Sequence, residues 1–228
     1  MNILGITLAR GGSKGVPRKN IRLLNGIPLI GHTIKEALSS NYLTEYIVST
    51  DDLEIKEIAV DLGAKCPFLR PQEFAEDTSS SVDALKHAVQ FMENQSNITY
   101  DYVIELMCTN PLKNVFDIDS CIEKLIETGA DSVIAVHELE DHHPVRIKKI
   151  IDDKIVDFCL PERPESRRQD LKPAAYIRSG SIYALKRDHL MIENRRYGSP
   201  ESRPYILPAE RAINVDTEVD FITASHMF

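Results

Sequence analysis

No apolar run in this 228-residue chain approaches the roughly 18 residues that a membrane span needs. Positive charge is also in short supply. With 27 Lys and Arg against 35 Asp and Glu, the formal net charge is −8, which excludes a broad basic footprint for nucleic acid. Any bound anion must therefore be met by a local cluster of cations. Cysteine is sparse, and Cys66, Cys108, Cys121 and Cys159 include no Cys-x-x-Cys pair. That spacing argues against a zinc or dithiol redox motif and predicts four reduced, mostly buried thiols. The opening residues, Met1 to Ala9, lack a basic leader and are cut short by Arg10, so they read as a strand and not a signal peptide. The expectation is a soluble cytoplasmic protein with no nucleic-acid or membrane partner.

What is present is ordinary globular composition, 43% apolar and 27% charged, arranged as alternating strand and helix patterns. Strands are predicted at 3–9, 45–50, 64–69, 101–107, 131–136 and 180–185. Between them, apolar stripes at 3.6-residue spacing predict helices through Ile30–Leu38, Val82–Met92 and Ile118–Ile126, with another closing the chain near 217–227. Asp51, three residues before Glu54, predicts a capped helix start. The alternation implies parallel pairing with right-handed crossovers, hence one three-layer α/β domain over 1–228. The pattern breaks after residue 137. Two β-like runs flank Asp152-Asp153 and predict a hairpin within 146–158, and 160–175 has no periodicity. We read 138–178 as an inserted arm.

The stretch Ala9-Arg10-Gly11-Gly12-Ser13-Lys14-Gly15-Val16-Pro17-Arg18-Lys19-Asn20 follows the first strand, where open α/β sheets bind ligands. It is neither a Walker A loop nor Gly-x-Gly-x-x-Gly. Its three glycines offer backbone N–H groups, and Arg10, Lys14, Arg18 and Lys19 bring four cations. A triphosphate carries about four negative charges and suits such a cradle. The plainer alternative is a solvated basic turn.

This stretch resembles the N-terminal signature of the acylneuraminate cytidylyltransferases, the CMP-sialic acid synthetase family. Further matches fall in that family's order: Ser49-Thr50-Asp51-Asp52, Arg70-Pro71, Asp77-Thr78 with Ser81, His142-His143-Pro144, Arg167 to Leu171, and Ile213 to Glu218. The resemblance implies a Rossmann-like nucleotide-diphospho-sugar transferase fold and Mg²⁺-dependent transfer of CMP from CTP to the anomeric hydroxyl of a nine-carbon 2-keto sugar acid. It implies Arg10, Lys14 and Lys19 for the phosphates, with Gly12 and Ser13 in the same loop. Asn20, Arg70 and Ser81 fall at cytidine contacts, although Ser81 also reads as a helix N-cap. Asp216 is the metal candidate, with an N-cap as its plainer reading. The arm resembles a dimerisation region, so a homodimer is expected, with Arg146, Arg168 and Arg178 as carboxylate binders. His142 and His143 point apart on an extended chain and suit a structural or interface role.

Two departures from the family pattern stand out. The family's Asp-x-Asp is here Asn214-Val215-Asp216, which removes one carboxylate. Its Leu-Gln-Pro-Thr is here Leu106-Met107-Cys108-Thr109, so Met107 replaces a glutamine that contacts sugar. A thioether packs on a methyl but cannot donate to a hydroxyl. That favours a legionaminic- or pseudaminic-type acid over sialic acid itself. The alternatives are transfer to an eight-carbon acid, as in 3-deoxy-manno-octulosonate cytidylyltransferases, or a catalytically impaired nucleotide-binding paralogue.

Overall fold

The computed structural model describes residues 1–13, 15–139, 142–163 and 167–228. Lys14 lies outside the described residues. In chain order the elements are β1 (Ile3–Leu8), β2 (Leu23–Leu24), β3 (Ile27–Pro28), α1 (Leu29–Leu38), β4 (Glu45–Ser49), α2 (Leu53–Asp61) and α3 (Ser81–Ser96). Then follow β5 (Tyr102–Leu106), α4 (Val115–Thr128), β6 (Ser132–Glu138), β7 (Lys148–Ile151), β8 (Lys154–Asp157), β9 (Tyr176–Lys186), α5 (Arg187–Met191), β10 (Ser202–Ile206) and α6 (Glu218–His226).

Six strands form the central sheet in the order β10-β6-β9-β5-β1-β4. Strand β1 pairs in parallel with β4 and β5, as expected for strands joined through helices. The expectation of parallel pairing fails at β9, which is antiparallel to both β5 and β6. The chain reaches β9 from β6 through the arm and not through a crossover helix, so it can return in the opposite direction. One other strand expectation needs correction. Segment 64–69 contributes one isolated bridge, Lys65 to Ile47, in place of a strand. Strand β10 escaped notice because Pro204 and Arg203 interrupt its apolar pattern, which an edge position tolerates.

Both faces of the sheet are covered. Ile3, Val48, Ile104 and Leu106 pack with Ile30 and Ile34 of α1, Ile55 of α2 and Ile118, Cys121, Ile122 and Leu125 of α4. On the opposite face, Leu4, Ile6, Val103, Tyr183 and Leu185 meet Leu85, Val89 and Met92 of α3. These are the three layers of an α/β fold, with a mixed sheet at the centre. The helix starts differ by one residue from expectation. Asp52, not Asp51, caps α2 by accepting from the Ile55 N–H at 3.0 Å. Ser80, not Ser81, caps α3 by accepting from Asp83 N–H at 3.1 Å. The β7–β8 hairpin turns at Asp152 and Asp153, both with positive φ (50° and 59°), as a two-residue type I′ turn requires.

Candidate active site

A cleft of about 420 Å³ opens beyond the carboxyl ends of β1 and β5. It is lined by Arg10, Ser13, Gly15, Lys19, Asn20, Arg70, Ser81, Glu105, Met107, Thr109 and Asp216, among others. The loop after β1 shapes one wall. Asp51 accepts the Gly11 N–H at 3.1 Å, which is what it does in place of capping α2. A Cβ at Gly15 would lie 2.2 Å from the Asp216 carbonyl oxygen, so backbone must pass against backbone there and only glycine fits. Gly12 faces open space and is not among the lining residues.

The described cations of the loop take separate roles. Arg18 turns to α2, donating to Asp52 at 2.6 Å and to Glu54. Its hydrogen bond to Asp52 raises the Arg18 pKa and holds the Asp52 carboxyl below its ordinary range. Arg10 donates to Asp77 at 2.7 Å. Lys19 reaches across the chain to the Val215 carbonyl at 2.6 Å and the Asp216 carboxylate at 2.9 Å. Asn20 is buried, its amide donating to the Arg10 carbonyl at 2.9 Å and accepting from Cys108 Sγ at 3.2 Å, so it braces the loop. Arg70 is buried as well and donates to the Ser49 and Phe74 carbonyls. Burial lowers its pKa.

Asp216 is the one carboxylate of the Asn214-Val215-Asp216 segment. Its side chain is 63% exposed, and the Asn214 amide donates to it at 2.5 Å. Asn214 Oδ1 is buried and without a hydrogen-bond partner among the described residues. No group of three His, Cys, Asp or Glu side chains that could hold a metal occurs among the described residues. A divalent ion is therefore compatible with Asp216, and with an Asn214 carbonyl turned toward it, only if phosphate oxygens and water complete the shell. Mg²⁺ accepts such a set, since it is commonly held by one or two carboxylates plus substrate phosphates.

The three expected carboxylate binders do not line this cleft. Arg178 stacks over the Tyr197 ring at 4.4 Å. Arg168 lines a separate hollow of about 210 Å³ with Glu138, His143 and Gln169. Arg146 ends the 3-10 turn Pro144–Arg146. His143 is used structurally, one ring nitrogen bonding the Pro173 carbonyl and the other accepting from Val145 N–H. All four cysteines are free; three are buried and Cys159 is exposed.

Two buried charged groups, one lining the cleft and one behind its loop, were not anticipated. Glu105 is fully buried in β5 and takes Arg196 at 2.5 Å. Burial raises its pKa, and Arg196 opposes that shift. The signal was a lone charge inside the apolar run 102–107. Lys113 is also buried, and its ammonium donates to Thr33 Oγ1, the Met107 carbonyl and the Asn110 carbonyl at 2.7, 2.7 and 2.6 Å. Burial pulls its pKa down to about 7. It ties down the loop that carries Met107 and Thr109.

Comparison with known proteins agrees with this geometry. The sequence model of the Cytidylyltransferase family matches residues 4–205. Pseudaminic acid cytidylyltransferase of Campylobacter jejuni (strain 81-176) is 34% identical over 229 residues, covering 100% of this chain and 97% of the relative. CMP-N,N'-diacetyllegionaminic acid synthase of Legionella pneumophila is 34% identical, covering 97% and 94%. Among solved structures, CMP:2-keto-3-deoxy-manno-octonic acid synthetase complexed with CTP superposes with a TM-score of 0.72 at 19% identity, covering 100% of this chain and 98% of that one.

Proposed function

This chain belongs to the cytidylyltransferase family, and on that premise we propose that it transfers CMP from CTP to the anomeric hydroxyl of a nine-carbon 2-keto sugar acid, releasing pyrophosphate. The observation that carries this reading is the cleft itself. Loop cations Arg10 and Lys19, the buried Arg70 and the carboxylate Asp216 converge at the carboxyl ends of β1 and β5. The full-length similarity to cytidylyltransferases acting on pseudaminic and legionaminic acids supports the acceptor class. The eight-carbon alternative rests on a structural likeness at 19% identity, which speaks to the fold alone.

Transfer of this kind depends on positioning and on neutralising charge on the phosphate oxygens. Arg10 and Lys19 supply cations to the triphosphate, with the Ser13 and Gly15 backbone beside them. Lys14 belongs to the same loop. Asn20 keeps the loop in shape, while Arg70 and Ser81 line the side on which the cytidine would lie. Asp216 would hold Mg²⁺ together with phosphate oxygens, and the bound ion would screen charge on the α- and β-phosphates. Lys19, bonded to Asp216, orients that carboxylate. Met107 offers a thioether to the sugar.

Arg146, Arg168 and Arg178 stand outside the cleft of one chain, which suits delivery by the arm to a partner's site in a homodimer. The exposed apolar side chains of the hairpin support that assembly. Four free thiols suit a reducing compartment such as the cytoplasm. Pyrophosphate release with CTP, Mg²⁺ and a panel of pseudaminic, legionaminic, sialic and octulosonic acids tests the whole reading. Turnover confined to nine-carbon acids is expected. Turnover confined to the octulosonic acid would favour the alternative, and release with none of the acids would favour the impaired paralogue.

A further inference from the structure

We propose that Glu105 is a specificity-determining residue that accepts a hydrogen bond from an acylamino N–H of the acceptor sugar, an inference that rests on the sugar-acid reading above. Glu105 lines the cleft although its side chain is only 1% exposed. One carboxylate oxygen is occupied by Arg196. The other, Oε1, is buried and has no partner among the described residues. A buried carboxylate oxygen without a donor is costly, and native structures rarely leave one so. The adjoining cleft can supply the missing donor through its occupant.

The setting indicates which occupant. In the sheet, Glu105 is paired with Ile6 of β1 on one side and Tyr183 of β9 on the other. On the β9 side, Arg196 stands 4.6 Å over the Tyr183 ring and 5.9 Å from the Tyr197 ring, whose own ring is covered by Arg178. The groups assigned to the nucleotide, the loop after β1 and Arg70 after β4, lie toward the opposite edge of the sheet. Phosphate and carboxylate oxygens are acceptors and bring no hydrogen to Oε1. Met107 follows two residues later, one past the end of β5, and lines the same cleft, roughly 7 Å away by strand rise. An acylamino group presents an N–H donor and a methyl together, which suits a carboxylate oxygen beside a thioether. A hydroxyl would answer only the first.

The test compares wild type, Glu105→Gln, and the double variant Glu105→Leu with Arg196→Met, which removes both charges together. Pyrophosphate release is measured against a diacylamino nonulosonic acid and against analogues in which each acylamino group in turn is replaced by hydrogen. In wild type, one of the analogues should show a KM for sugar about 10- to 100-fold higher than the parent. In both variants the parent should lose the same factor, that analogue should lose little further, and the KM for CTP should stay within about twofold. A sugar KM unmoved in the variants would overturn the inference while leaving the proposed reaction intact. So would a raised KM for CTP with relaxed discrimination against UTP, which would assign Glu105 to the cytosine amino group. Absence of wild-type turnover with every sugar acid would overturn both readings.

Discussion

Lys19 joins the loop after β1 to a segment 197 residues away through Val215 and Asp216, and the proposed reaction places it against the triphosphate. Lys19→Ala removes a fixed cation and also frees the Asp216 carboxylate. Its kcat should fall by about 100-fold or more, with urea unfolding little changed. Near-normal turnover in the folded variant would remove Lys19 from the machinery. Met107 carries a different expectation. If its thioether packs on a methyl, sialic acid bearing an extra hydroxyl there should be the poorer substrate by roughly 5- to 150-fold, following from about 1–3 kcal/mol for an unpaired polar group. Met107→Gln should regain part of that loss and weaken turnover of the deoxy, diacylamino acid. Competition assays of kcat/KM decide it, and equal efficiencies in both proteins would mean that Met107 does not face the sugar.

Elements were legible where a periodic apolar pattern was long. Strands β1, β4, β5 and β6 were anticipated within about two residues, and helices α1, α3 and α4 within about four. Caps were less certain, because runs such as Ser79-Ser80-Ser81 and Asp51-Asp52 offer several residues able to cap and only the backbone geometry selects one. The direction of β9 could not be read, since pairing depends on where the arm delivers the chain. The loop cations were legible from composition in one stretch. Glu105 with Arg196 was not, because 91 residues separate a strand residue from a loop residue that meet only in the folded chain. The start of α4 gives the clearest element-scale prediction. Asp117 is fully buried, completes a capping box with Asn114, and accepts from Tyr205 Oη and, at two points, from Arg211. Asp117→Ala breaks all of these and should cost about 3 kcal/mol in urea unfolding, within the range for a broken buried ion pair. Asp117→Asn keeps an acceptor for the cap and should cost less.

The whole molecule leaves apolar surface unexplained in one chain. Ile150 and Ile155 of the hairpin are 76% and 75% exposed, and Phe158 is 60% exposed. Grouped exposure of this kind marks an interface. Sedimentation at micromolar concentration should therefore give a dimer, and Ile150→Glu with Ile155→Glu should give a monomer; a monomeric wild type would refute the assembly. The pH dependence of folding depends on groups distributed through the fold. Burial lowers the pKa of His32, His87 and His137. Each takes up its proton less readily in the folded state than in the unfolded chain, which binds it near pH 6.5. Between the lowered value and about 6.5 the unfolded state holds more protons, so stability rises with pH and is lost on acidification. Lys113, at about 7 when folded and near 10.4 when unfolded, extends the same upward slope above neutrality. Glu105, raised by burial, works in the opposite direction. Three histidines and a lysine against one carboxyl predict a urea midpoint that climbs from pH 5 to pH 8. His32→Gln can still donate to the Leu24 carbonyl that His32 engages at 3.0 Å, yet has nothing to titrate. It should flatten the slope between pH 5 and 6.5, and a slope identical to wild type would remove His32 from the account.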